Sequence, residues 1–211
     1  MTSYTDIEVA TRAAGLIVMG ALPHEGGTVV LLGAGPAFWP VLQASPEGMD
    51  GKPDPVDRWS TRVIGALAQR FNAEPRFPFG GPPYQPFIAW ARASGRAFQS
   101  PVGMLVHDTV GMMISYRGAL LLPDPIPCPE PPRISPCDSC AGKPCITACP
   151  VGALEADHTY DLDACHGFLD TGPGADCMSR GCAVRRACPL SAGAGRLPEQ
   201  SAHHMRAFHP R

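Results

Sequence analysis

The sequence predicts an α+β chain in which an N-terminal α/β layer domain is followed by a small cysteine-rich domain. Three observations carry that prediction. All nine cysteines lie between positions 128 and 188. Positions 123–136 hold seven prolines in fourteen residues, which removes backbone donors and forces extended geometry on each preceding residue. Upstream, helical and strand periodicities alternate as they do in a layered domain. The expected divisions are residues 1–125 for the layer, 126–136 for a semi-rigid linker, 137–195 for the cysteine-rich domain and 196–211 for a tail.

Element by element, Thr5 with Glu8 forms a capping-box pattern. Ile7, Val9, Ala10, Ala13, Leu16 and Ile17 then follow at helical spacing and predict a first helix ending near Gly20. The run TVVLL at 28–32, closed by GAGP, is short, β-branched and apolar, and predicts a buried strand. Asp54 as cap, Pro55 in the first turn and a stripe of Trp59, Val63, Ile64, Leu67 and Phe71 predict a second helix that stops before Asn72. A third helix is expected over 86–94. VGMLV (102–106) and MMISY (112–116) flank HDTVG in the manner of a hairpin, and GALLL (118–122) completes the strands. The segment GAGPAFW lacks both the third glycine of a dinucleotide loop and a GK[ST] ending, so no phosphate loop is expected there.

Composition narrows the function classes. The chain is 45% hydrophobic and 17% charged, with a formal net charge of −2. This is neither a disordered chain nor the basic field of a nucleic-acid binder. No run reaches the roughly 18 to 20 apolar residues of a membrane span, and MTSYTDIEVATR does not read as a signal peptide. A cytoplasmic protein is expected, with neither nucleic acid nor membrane as partner.

Cys137, Cys140, Cys145 and Cys149, with Pro150 after the last, spell CxxCxxxxCxxxCP. Cys165, Cys177, Cys182 and Cys188 form a second set, again followed by proline at Pro189. Eight thiolates make two complete sets of four, the number that two [4Fe-4S] clusters require. Gly142, Gly152, Gly174 and Gly181 give the intervening loops freedom to curl. Two structural zinc sites in an interaction protein would also use eight cysteines, whereas disulfides fit neither nine cysteines nor a reducing compartment. Cys128 is left over.

The first set resembles the bacterial ferredoxin run CxxCxxCxxxCP, with two residues inserted. In two-cluster ferredoxins the cysteine before the proline ligates the other cluster. That resemblance implies a small bacterial two-[4Fe-4S] ferredoxin-like domain in which Cys137, Cys140, Cys145 and Cys188 hold one cluster and Cys149, Cys165, Cys177 and Cys182 the other.

A wider resemblance runs through SPVGMLVHDTVGMMISYRGALLL (100–122), CDSCAGKPCITACPVGAL (137–154), YDLDACHGFL (160–169) and the GC…CP pair at 181–189. Across the span 100–189 that these stretches mark out, a little under half the chain, the sequence is similar to the catalytic half of the epoxyqueuosine reductases and to the related reductive dehalogenases. The resemblance implies that the first domain binds cobalamin, with residues 100–117 lining the corrinoid pocket, and that the cysteine domain delivers electrons to it. One departure is plain. Where those reductases carry an acidic proton donor, residues 77–98 contain no carboxylate.

The leading expectation is therefore an iron–sulfur electron-transfer protein with a redox partner protein. A corrinoid-dependent reductase acting on a small molecule is the alternative, and a zinc-stabilised interaction protein the second alternative. If the first domain is catalytic, His107, Asp108, Tyr116 and Tyr84 are the candidate proton donors. A hairpin turn accounts equally for His107 and Asp108, and a strand face for Tyr116. Arg117 could pair with an anion, but 15 of the 17 basic residues are Arg. His203, His204 and His209 form a histidine tract to which no site is assigned.

Overall fold

In the computed structural model, residues 2–156 and 159–210 are described. Along the chain run α1 (Tyr4–Ala13), β1 (Leu16–His24), β2 (Gly27–Ala34), α2 (Phe38–Gln43), α3 (Pro46–Met49), α4 (Pro55–Arg70), β3 (Glu74–Arg76) and α5 (Phe87–Ala93). Then come β4 (Ala97–Gln99), β5 (Leu105–His107), β6 (Tyr116–Leu122), α6 (Leu162–Leu169), α7 (Ala175–Arg180) and α8 (Ala183–Ala187). A 3₁₀ turn (Pro189–Ala194) and α9 (Pro198–Phe208) complete it. None of the described helices is long and apolar enough to cross a membrane.

The chain forms two compact units, one of Met1–Arg96 with Ser115–Arg133 and one of Ala97–Ile114 with Ile134–Arg211. Residues 97–114, counted by sequence with the N-terminal layer, thus group with the cysteine-rich segment. The chain then returns to the first unit because β6 is an inner strand of its sheet.

That sheet has the order β1-β2-β6-β3. Every pair is antiparallel, so the layer is α+β and not of the parallel α/β kind. Val18, Val30, Leu32, Leu120 and Leu122 face a core closed by Ile7 of α1, Phe38 and Leu42 of α2, and Trp59, Ile64 and Leu67 of α4. Phe38 and Trp59 meet edge to face, 5.1 Å between ring centroids. The β1–β2 register shifts between Val18 and Gly20. This bulge keeps Val18 and Ala21 on the same face, although strict alternation would separate them.

The first helix is shorter than its periodicity predicts. It ends at Ala13, Gly15 turns at φ +81°, and Leu16 and Ile17 open a strand instead. The helix N-terminus is capped by Ser3 with Asp6 in a reciprocal box, not by Thr5 with Glu8. Asp54 precedes α4 at φ +53° and makes no side-chain cap. The pair Glu25 (φ +47°) and Gly26 (φ +84°) closes β1 onto β2, as a two-residue hairpin turn demands.

In the second unit the hairpin pairs Ala97–Gln99 with Leu105–His107, not 102–106 with 112–116. Gly103 at φ +78° closes the loop, with the Ser100 amide donating to the Met104 carbonyl at 2.8 Å. Gly111 at φ +56° then turns the chain, and Met112 drops into a small core with Val102, Val106, Leu154, Val184, Cys145 and Cys188. The expected tail carries α9, Pro198–Phe208, which packs on α7.

Candidate metal centre

The first four cysteines lie in consecutive turns. Gly142 (φ +76°) and Gly152 (φ +65°) take the left-handed conformation there, while Gly174 is helical at φ −64°. Cys165 sits in the first turn of α6, whose N-terminus is capped by Asp161 accepting from the Ala164 amide at 2.9 Å. Cys177 is buried in α7. Gly181 (φ +89°) then lets the chain reverse, so that Cys182 opens α8 and Cys188 closes it.

The thiols influence one another in two groups. Burial raises the Cys137 thiol pKa, and Cys188 and Cys140 raise it further. Burial likewise raises Cys145, with Cys137, Cys188 and Cys140 adding to the effect. In the second group burial raises Cys165, and so do Cys182, Cys149 and Cys177. Cys177 is raised by burial and by Cys182. Cys128 is exposed and raised by burial alone. Two short segments each carry one cysteine of each group, Cys145 with Cys149 and Cys182 with Cys188, which keeps the groups close. Five helical residues separate the second pair, about 7 to 9 Å of rise.

Hydrogen-bond donors surround these sulfurs. A backbone hydrogen bond from Ala183 lowers Cys177, and the Ser135 hydroxyl lowers Cys137. Tyr160 donates its hydroxyl to Cys165 Sγ at 3.2 Å. Burial holds the Tyr160 phenol above its ordinary value, and the bond to Cys165 adds to this. Arg185 is lowered by burial and raised by Cys182 and Tyr160, and it donates to the Met112 carbonyl at 3.1 Å. Tyr160, Ser135 and Arg185 were not singled out from sequence. Their one signal is proximity to a cysteine in the chain, which many residues share.

Eight thiols in two groups of four fit two four-iron clusters in number and in donor chemistry. Among the described residues, no three His, Cys, Asp or Glu side chains gather as one metal ion needs. A cube of iron and sulfide is larger than one ion and spreads its cysteines farther apart than a tetrahedral zinc, whose sulfurs stand at about 2.3 Å from the metal.

Of the candidate proton donors, His107 and Asp108 belong to the second unit. His107 is fully buried. Its Nδ1 accepts from the Thr109 amide at 3.2 Å and faces the Asp108 carboxylate at 3.0 Å, an arrangement that closes its own turn. Tyr116 and Tyr84 belong to the first unit, Tyr116 packing its ring on Phe87 and Tyr84 standing 68% exposed. Arg117 faces Asp57 at 3.4 Å. The histidine tract divides, with His209 reaching Asp170 at 3.0 Å and His166 at 2.6 Å.

The chain matches no protein-family model and no curated protein.

Proposed function

We propose that the chain is an iron–sulfur electron-transfer protein, with Cys137, Cys140, Cys145 and Cys188 holding one [4Fe-4S] cluster and Cys149, Cys165, Cys177 and Cys182 a second. The observation that supports this reading is the run of eight cysteines in two sets of four, each set closed by Cys-Pro, with Cys137, Cys145, Cys149, Cys182 and Cys188 gathered about one small core. Clusters of this kind take up and release single electrons at a potential set by charge, burial and hydrogen bonds to their sulfurs. The chain's own residues supply each of those levers. Val102, Val106, Met112 and Val184 exclude water from one side of the sulfurs. Ala183 and Tyr160 direct donors at them.

Elemental analysis of anaerobically purified protein tests the reading. About eight irons per chain are expected. Two zincs without iron would overturn it in favour of a structural zinc protein, and cobalt bound beside the iron would extend it to a corrinoid-dependent reductase. Replacing Cys145 or Cys177 by Ser is expected to remove about half the iron, since each deletes one of four anchors. Cys128→Ser is expected to keep it all. Unchanged iron in either of the first two variants would strike that residue from the ligand set.

A further inference from the structure

Tyr160 is the only tyrosine of the second unit, and its surroundings hold it in one pose. Phe208, at the end of α9, stacks on Tyr160 with planes 8° apart and centroids 6.4 Å apart. The same ring stacks on His166 at 4.7 Å and 19°. Next to it, His209 is 8% exposed and is tied to both Asp170 and His166. The end of α9 is thereby tied to α6 at His166 and at its C-cap Asp170. Tyr160 itself is 36% exposed. Water is within its reach, yet its hydroxyl points at the Cys165 sulfur.

We infer that Tyr160 raises the midpoint potential of the cluster held by Cys149, Cys165, Cys177 and Cys182, with Phe208 as the positioning residue that keeps its hydroxyl on Cys165. The inference rests on the iron–sulfur reading and deepens it. A four-iron cluster held there would accept one electron on its iron from a reductant such as dithionite, which would add one negative charge shared with the thiolate ligands, make and break no bond, and leave the phenol proton on Tyr160. An O–H dipole aimed at the sulfur stabilises the added charge, because hydrogen bonds strengthen as their acceptor becomes more anionic. Arg185, anchored on the Met112 carbonyl, contributes in the same direction. The claim concerns the second cluster alone and is not a ranking of the two.

The full chain, purified anaerobically, is titrated with dithionite while each cluster is followed by electron paramagnetic resonance, and iron is counted in parallel. The signal of the second cluster is identified as the one that Cys165→Ser abolishes. Tyr160→Phe keeps the ring and deletes only the hydroxyl. Its expected result is full iron, a lower midpoint for that signal and an unmoved midpoint for the other. Phe208→Ala is expected to lower the same midpoint, and Phe208→Trp to restore it. Full iron with both midpoints unmoved in Tyr160→Phe would overturn the inference alone. Loss of iron from Tyr160→Phe would also overturn it, since the hydroxyl would then hold the cluster in place and not tune it. Wild-type protein without iron would overturn the iron–sulfur reading and the inference together.

Discussion

Ser191 shows how much a single side chain can decide in the second unit. It is buried, and its Oγ accepts a hydrogen bond from the Met112 amide at 3.1 Å. A Cβ on Gly111 would meet the Ser191 backbone amide at 2.5 Å, so the turn after β5 approaches the turn after Cys188 as closely as backbone allows. Ser191→Ala leaves a buried N–H without its partner, a loss of about 1 to 3 kcal/mol. Chemical denaturation followed by far-ultraviolet circular dichroism is expected to register it. An unchanged midpoint would mean that water replaces the hydroxyl. Nothing in PLSAGAG marks Ser191, because its partner stands 79 positions away in the chain. The cysteines are the opposite case. Their identity as thiols is a property of the residue type, visible before any folding, while the stacking of Phe208 on Tyr160 depends on where α9 brings it.

At the scale of elements, the corner between α3 and α4 is held by charge. Arg62 donates to both carboxylate oxygens of Glu47, at 2.6 and 2.8 Å, and Arg58 does the same to Asp50 at 2.8 Å. The Arg62 hydrogen bonds bring Glu47 from its ordinary 4.5 down to about 2, and those of Arg58 bring Asp50 from 3.8 to about 2. A carboxylate whose pKa is depressed by folding stabilises the fold above its unfolded value and stops doing so as pH falls through the folded one. Arg62→Gln is therefore expected to lower stability at pH 7 by about 1 kcal/mol or less, since Arg62 is half exposed and solvent screens the pair. The gap between variant and wild type should close as pH drops from 4.5 to about 2. A gap that persists at pH 2 would assign the effect to packing of the arginine stem. The stripe on α4 was legible because its period matches the helix over sixteen residues. The start of β1 was not. Leu16 and Ile17 continue the apolar spacing of α1, and only the turn at Gly15 and pairing with Ala34 and Gly33 make them strand.

For the whole molecule, the two units draw on different sources of stability. The first has a continuous aliphatic and aromatic core between sheet and helices. The second buries a smaller apolar group in which Cys145 and Cys188 are themselves members, so bound metal would be part of its folding free energy. All three tryptophans, Trp39, Trp59 and Trp90, lie in the first unit. On the iron–sulfur proposal, anaerobic removal of iron with a chelator is expected to lower the thermal transition seen in helical circular dichroism while leaving the tryptophan fluorescence transition in place. Equal shifts in both would show that the units unfold together. By itself the sequence determined the donor type, the number of sulfurs and their order along the chain, because those are local properties of residues and spacing. It also determined that a layer of helices and strands precedes them, since periodicity is local too. Only the tertiary structure decided that residues 97–114 leave the sheet to pack with the cysteines, that every strand pair is antiparallel, and that Tyr160 meets Cys165 under Phe208. The first two, and the arrival of Phe208 at Tyr160, are meetings of segments distant in the chain, governed by which buried surfaces and hydrogen bonds can be satisfied together, and no local pattern encodes that choice.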